Sequence, residues 1–299
     1  MFKKTLYIVL VLIVVSAIVI LSNSKFLNYK PSQNSKIQIV AAENFWGSLV
    51  NQIGGNQVSV TSLVNDPNAD PHQYEVNSLT AKLFAKANYV IVNGAGYDNW
   101  ATSIINANPS SNRIVLNVAN LLNKKNGDNP HFWYNPNYVN RVVLSIKNDL
   151  VKIKPKQSSY FNNNYQALVT KLAVYQNNLA YIKKNFSGVN VASTEDIFVY
   201  LAQASGLNLI SPPDFMQAVA NGNDPSASSI VTFENQLKSN QVKLLVYNSQ
   251  TVNPITESIK NIARANNIPV IAISETIEPT NLSFEDWMNQ QIVNIKNNL

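Results

Sequence analysis

The chain has 299 residues, of which 45% are hydrophobic and only 13% charged, so it is too long for one core and too apolar to be disordered, and two domains are expected. It contains no cysteine, which excludes disulfides, thiolate metal ligands, iron–sulfur clusters and thiol nucleophiles, and leaves histidine nitrogen and oxygen as the donors for any metal. The net charge of +6 comes from scattered lysines rather than basic–aromatic clusters, which suits an anionic cell surface and argues against nucleic-acid binding.

Lys3 and Lys4 precede twenty uncharged residues, Thr5 to Ser24, that are almost wholly Leu, Ile, Val and Ala from Leu6 to Leu21. A positive end followed by an apolar run is the pattern of an export signal, and Ser22-Asn23-Ser24 fits a small-residue cleavage site. Twenty such residues also span a bilayer as a helix, with the lysines held inside. Residues 1–24 are therefore expected to be a membrane anchor or signal, with the anchor favoured, and the polar residues 25–35 a tether. In either case the rest of the chain works outside the cytoplasm.

Strand and helix then alternate. Residues 36–41, 58–64, 89–92 and 113–118 read as β-branched strands, with helices over 45–53, 78–87 and 100–105 between them. A helix follows over about 138–152. Residues 157–185 carry a helical pattern with no Gly or Pro. At 1.5 Å per residue that helix is roughly 43 Å long, a rigid spine rather than a coiled coil. Alternation resumes with strands over 189–192, 207–211, 242–247 and 269–273, and helices over 196–204, 230–239, 255–265 and 284–298. The fold class expected is α/β, with two similar parallel-sheet lobes joined by one long helix and a cleft between them. The expected boundaries are 36–154 for the first lobe, 155–186 for the linker helix and 187–299 for the second lobe.

Ligands in open α/β sheets bind beyond the carboxyl ends of the strands. The chain has two histidines, His72 and His131, each preceded by a proline that stiffens its loop. His72 follows the second strand and His131 the last strand of the first lobe. Glu195 and Glu275 follow strands of the second lobe. Two imidazoles and two carboxylates offer four donors, or six if both carboxylates chelate, which suits Zn²⁺ at the lower number and Mn²⁺ or Fe²⁺ at the higher. Ser193-Thr194 before Glu195-Asp196 is also what a helix N-terminus wants, so the motif has a purely structural reading as well.

Asp70-Pro71-His72-Gln73-Tyr74-Glu75, Asn129-Pro130-His131-Phe132-Trp133, Ser193-Thr194-Glu195-Asp196-Ile197-Phe198 and Ser274-Glu275-Thr276 come in an order that resembles the zinc/manganese (TroA-like) solute-binding receptors of metal ATP-binding-cassette importers. The resemblance covers nearly everything after the tether. It implies that His72, His131, Glu195 and Glu275 bind a transported divalent metal, Mn²⁺ or Zn²⁺, with Fe²⁺ accommodated by the same donors. It also implies a membrane permease as partner and a monomeric receptor. The lipid-bearing cysteine of many such receptors is absent, as is a histidine-rich loop between Glu75 and Pro130, and Glu275 stands where aspartate is usual. Two carboxylates without that loop favour manganese, although zinc is the tighter competitor.

Tyr74, Phe132 and Trp133 are expected to exclude water from the site, and Asp70 and Glu75 to orient the imidazoles. Affinity is expected to fall below about pH 6 as imidazole protonates. A competing reading, an extracellular metal-dependent hydrolase, lacks a His-Glu-x-x-His run and a third histidine. The chain is therefore not expected to be an enzyme. A surface adhesin with a structural metal site is the remaining alternative.

Overall fold

Two four-stranded parallel sheets carry the chain, in the orders β2-β1-β3-β4 and β6-β5-β7-β8. The computed structural model describes residues 35–66, 74–251 and 253–299. The predicted membrane segment and nearly all of the tether lie outside these. Among the described residues no helix is long and apolar enough to cross a membrane.

The first sheet comprises β1 (Ile37–Glu43), β2 (Val58–Val64), β3 (Tyr89–Val92) and β4 (Ile114–Asn117). Between and after them run α1 (Asn44–Gly54), α2 (Ser78–Lys86), α3 (Asn99–Ala107), α4 (Val118–Leu122) and α5 (Pro136–Ile153). The long helix α6 covers Ser158–Phe186, 29 residues as expected. The second sheet comprises β5 (Asn190–Ser193), β6 (Asn208–Leu209), β7 (Leu245–Asn248) and β8 (Val270–Ile273). With it come α7 (Val199–Ser205), α8 (Pro213–Ala220), α9 (Ala227–Lys238), α10 (Pro254–Ala265) and α11 (Phe284–Asn298). The sheets have the same topology, as expected of similar lobes.

With so few charges, asparagine does much of the capping. The side chains of Asn77, Asn117, Asn135 and Asn253 each accept a backbone N–H of the helix that follows. Pro136 and Pro254 stand at the first helical position, where a missing N–H removes no bond. Asn253 and Thr256 complete a reciprocal capping box.

The buried stripe of α6 is Phe161, Leu168, Leu172, Tyr175, Leu179 and Ile182. From Leu168 onward the spacing alternates four and three residues, a short heptad seam. The seam runs through Tyr175 rather than Val174, which is 54% exposed. Helix α6 packs on α1 and α5 on one side and on α7 and α11 on the other. One apolar cluster accordingly contains Ile39 and Tyr89 of the first sheet, the α6 seam, and Val191, Val246 and Ile271 of the second. Residues 37–299 form one compact unit. Leu172→Ala is expected to lower unfolding free energy by about 2–5 kcal/mol, and Val174→Ala by less than about 0.5 kcal/mol, measured by denaturant titration.

Candidate metal site

Three of the four predicted ligands, His131, Glu195 and Glu275, line one cavity of about 460 Å³ between the two sheets, and each is only 2% exposed. His72 lies outside the described residues. Among the described residues no three His, Cys, Asp or Glu side chains stand close enough to form a ready metal cluster.

His131 sits where the chain, having left β4 and α4, turns into a short 3-10 helix, Phe132–Tyr134. Asn129 Oδ1 accepts from the His131 backbone N–H at 3.0 Å and meets its Nδ1 at 2.9 Å. Asn129 Nδ2 donates to the carbonyl of Asp196 at 2.7 Å, which fixes which way the amide faces. Oδ1 has no proton to give, so Nδ1 carries the ring proton and Nε2 keeps its lone pair for a metal. The Asp196 carboxylate lies 3.3 Å from the same Nδ1. Asn129 and Asp196 thus take the orienting role for His131, whereas Glu75 is exposed. Trp133 meets the imidazole edge-on at 5.2 Å.

Glu195 follows β5 and occupies the N-cap of a 3-10 turn, Asp196–Phe198, without a side-chain capping bond. The structural reading of this motif therefore does not account for its carboxylate. The Ser193 hydroxyl donates instead to the Glu195 carbonyl at 2.7 Å, pinning the backbone.

Glu275 follows β8. Tyr97 donates to its Oε2 at 2.7 Å across the cleft, and Asn248 Nδ2 to its Oε1 at 2.6 Å. Gln250 Oε1 accepts the Glu275 and Thr276 N–H groups at 2.7 and 2.9 Å. Burial, then the Glu275 charge, holds the Tyr97 phenol well above its usual range, so it remains a donor. A second clamp is Tyr134, whose hydroxyl bonds the Ser274 carbonyl at 2.7 Å and Gln291 Oε1 at 2.8 Å.

Behind Tyr97, Glu43 closes β1 with no exposure at all. Burial first, and then the charge of adjacent Asp98, pushes its carboxyl well above the usual carboxylate range. Burial also raises Asp98, opposed by the Gly94 and Asn93 N–H groups.

One imidazole with a fixed tautomer and two buried carboxylates fit a divalent cation, because carboxylates withdrawn from water need positive charge or donors. Tyr97, Asn248, Gln250 and Glu43 had no assigned role in the sequence reading. For Glu43 and Asn248 position was an available signal, since they end strands β1 and β7.

Residues 39–298 match the ZnuA family, described as the periplasmic zinc-uptake complex component A, and the chain belongs to that family. It is 22% identical over 288 residues to the metal ABC transporter substrate-binding lipoprotein SsaB of Streptococcus sanguinis, covering 90% of this chain and 89% of the relative. It is equally 22% identical, over 288 residues and the same shares, to the manganese ABC transporter substrate-binding lipoprotein ScaA of Streptococcus gordonii. A crystal structure of ZnuA superposes with a TM-score of 0.71 at 20% identity, over 89% of this chain and 100% of that one.

Burial and then Asp98 hold the Glu43 carboxyl well above its usual range in the folded protein but not in the unfolded chain. Between the ordinary carboxylate range and that raised one the folded state binds more protons than the unfolded chain, so stability falls as pH rises through this window. In denaturant titrations at rising pH above 5, wild-type protein is expected to lose stability relative to Glu43→Gln, which has no such proton.

Proposed function

We propose that the protein is the extracytoplasmic receptor of a metal importer. It captures one divalent transition metal as cargo and presents it, as a monomer, to an ATP-binding-cassette permease. The supporting observation is the convergence of His131, from the loop after α4, with Glu195 and Glu275, just beyond β5 and β8, on one buried cavity. His72, from the loop after β2, supplies the fourth donor. The carboxylates neutralise the cation while His131 binds through Nε2, its other nitrogen held by Asn129. Tyr97 and Asn248 hold the Glu275 carboxylate in the cavity.

Manganese is the favoured cargo, because two carboxylates supply hard oxygen donors; zinc binds the same set more tightly in free competition. ScaA, a relative of similar length, is named for manganese, and the family description names zinc. The relatives are lipoproteins, whereas this chain has no cysteine to carry a thioether-linked lipid. The apolar segment 5–24, outside the described residues, serves instead as a membrane anchor or as a cleaved export signal.

Metal at about 100 times its dissociation constant is expected to add about 2.7 kcal/mol of stability, read as a rise in melting temperature. His131→Ala and Glu195→Gln are expected to abolish that rise with the fold intact by circular dichroism. Wild-type protein whose melting ignores both Mn²⁺ and Zn²⁺ would refute the receptor reading. Competition between the two metals, followed by elemental analysis, assigns the cargo.

A further inference from the structure

The turn Asn93–Asp98, between β3 and α3, reaches two proposed ligands at once. Its Tyr97 holds Glu275 Oε2, and its Asn93 side chain donates at 2.9 Å to the carbonyl of Pro130, the residue before His131. Asn93 Oδ1 in turn accepts from Trp46 Nε1 at 3.1 Å, and the residue is wholly buried.

The turn's backbone is strained. Gly94, Ala95 and Gly96 have φ of 76°, 56° and 95°, and Ala95 is not a glycine. A Cβ on Gly94 would lie 2.5 Å from Asn117 Oδ1 and 2.8 Å from the Ala119 Cβ. What holds this conformation is Asp98, whose oxygens accept from Asn93 N at 2.6 Å and Gly94 N at 2.8 Å.

Glu43 lies against Asp98, within hydrogen-bonding reach. Among the described residues no other group gives either Glu43 oxygen an N–H or O–H partner, and both are buried. Two ionised carboxylates there would repel, and Glu43 would be an uncompensated buried charge. A single proton resolves both problems. Asp98, supplied with two N–H donors, stays the acceptor, and Glu43 donates to it.

We propose that Glu43 and Asp98 share one proton, and that this carboxyl pair is a positioning device that fixes the Asn93–Asp98 turn and thereby sets both His131 and Glu275 for the metal. The effect on metal rests on the receptor reading above, whereas the shared proton does not.

Infrared difference spectra of metal-free wild-type protein against Glu43→Gln test the proton directly. At neutral pH the wild type is expected to show a protonated-carboxyl C=O band that shifts in heavy water. A difference spectrum containing only ionised-carboxylate bands overturns the pair. Mn²⁺ titration of full-length protein tests the positioning. Glu43→Gln keeps an N–H for Asp98 and is expected to bind within roughly threefold of wild type, while Glu43→Leu loses roughly tenfold, about one hydrogen bond's worth. Equal affinity of the Gln and Leu variants overturns the positioning role. If Glu43→Leu does not fold, Gln binding at wild-type strength supports the role and a tenfold loss in Gln overturns it. Wild-type protein that binds no metal refutes the receptor reading and leaves the infrared result to decide the proton.

Discussion

A carboxylate taken out of water has to be matched by donors, by a cation or by a proton, and this demand shapes the cleft of the protein. Glu275 is matched by donors, the Tyr97 hydroxyl and the Asn248 amide. Asp98 is matched by two backbone N–H groups. Glu43 is matched by a proton. Because each solution recruits a neighbouring loop, the acids tie together the ends of strands that the sheets only bring near one another.

The two sheets repeat this plan. In each, the strand order reverses beside the first strand of the lobe, so the switch point falls between β1 and β3 in one and between β5 and β7 in the other. Glu43 ends β1, and Glu195 follows β5 by two residues. Asn93 directly follows β3, and Asn248 ends β7, both with no exposure. Each asparagine fixes the surroundings of a proposed ligand, one through the Pro130 carbonyl and one through Glu275 itself. The lobes differ in the loops added to this shared frame. His131 arrives only after α4 and a further loop, whereas Glu275 follows β8 by two residues.

Much of the frame was legible because it is locally encoded. β-Branched runs marked the strands of the first sheet, and an uninterrupted helical pattern marked α6. Helix α8 was not legible, because Pro212-Pro213 interrupts both helical and strand patterns and no element was read between residues 211 and 230, although Pro213 is well placed at a helix start. Residues 207–211 read as a full strand, yet only Asn208–Leu209 pair, since β6 lies at a sheet edge with a partner on one side. Residues 196–204 read as one helix, but the first turn is 3-10 and carries Glu195 at its cap. Strand ends also marked Glu195 and Glu275, since that rule needs only the order of elements, whereas His131 stands beyond a helix and a loop that follow β4. Tyr97 could not be found that way. Its partner is 178 residues distant in sequence, and the pairing exists only once the second lobe has docked on the first.

That docking limits how such a receptor opens. The apolar cluster runs without a break from Ile39 through the α6 seam to Val246 and Ile271. Separating the lobes as rigid bodies would expose that cluster to water, and close-packed cores resist continuous deformation. It would also break the buried Tyr134 clamp on Ser274 and Gln291. The contacts nearer the cavity are single hydrogen bonds, Tyr97 to Glu275 and Asn129 to Asp196, each far smaller than the core. Opening the cavity at these few side chains therefore costs far less than separating the two sheets. The Asn93–Asp98 turn then matters more than any hinge, because it reaches both Glu275 and the Pro130 carbonyl beside His131 without any change in the shared core.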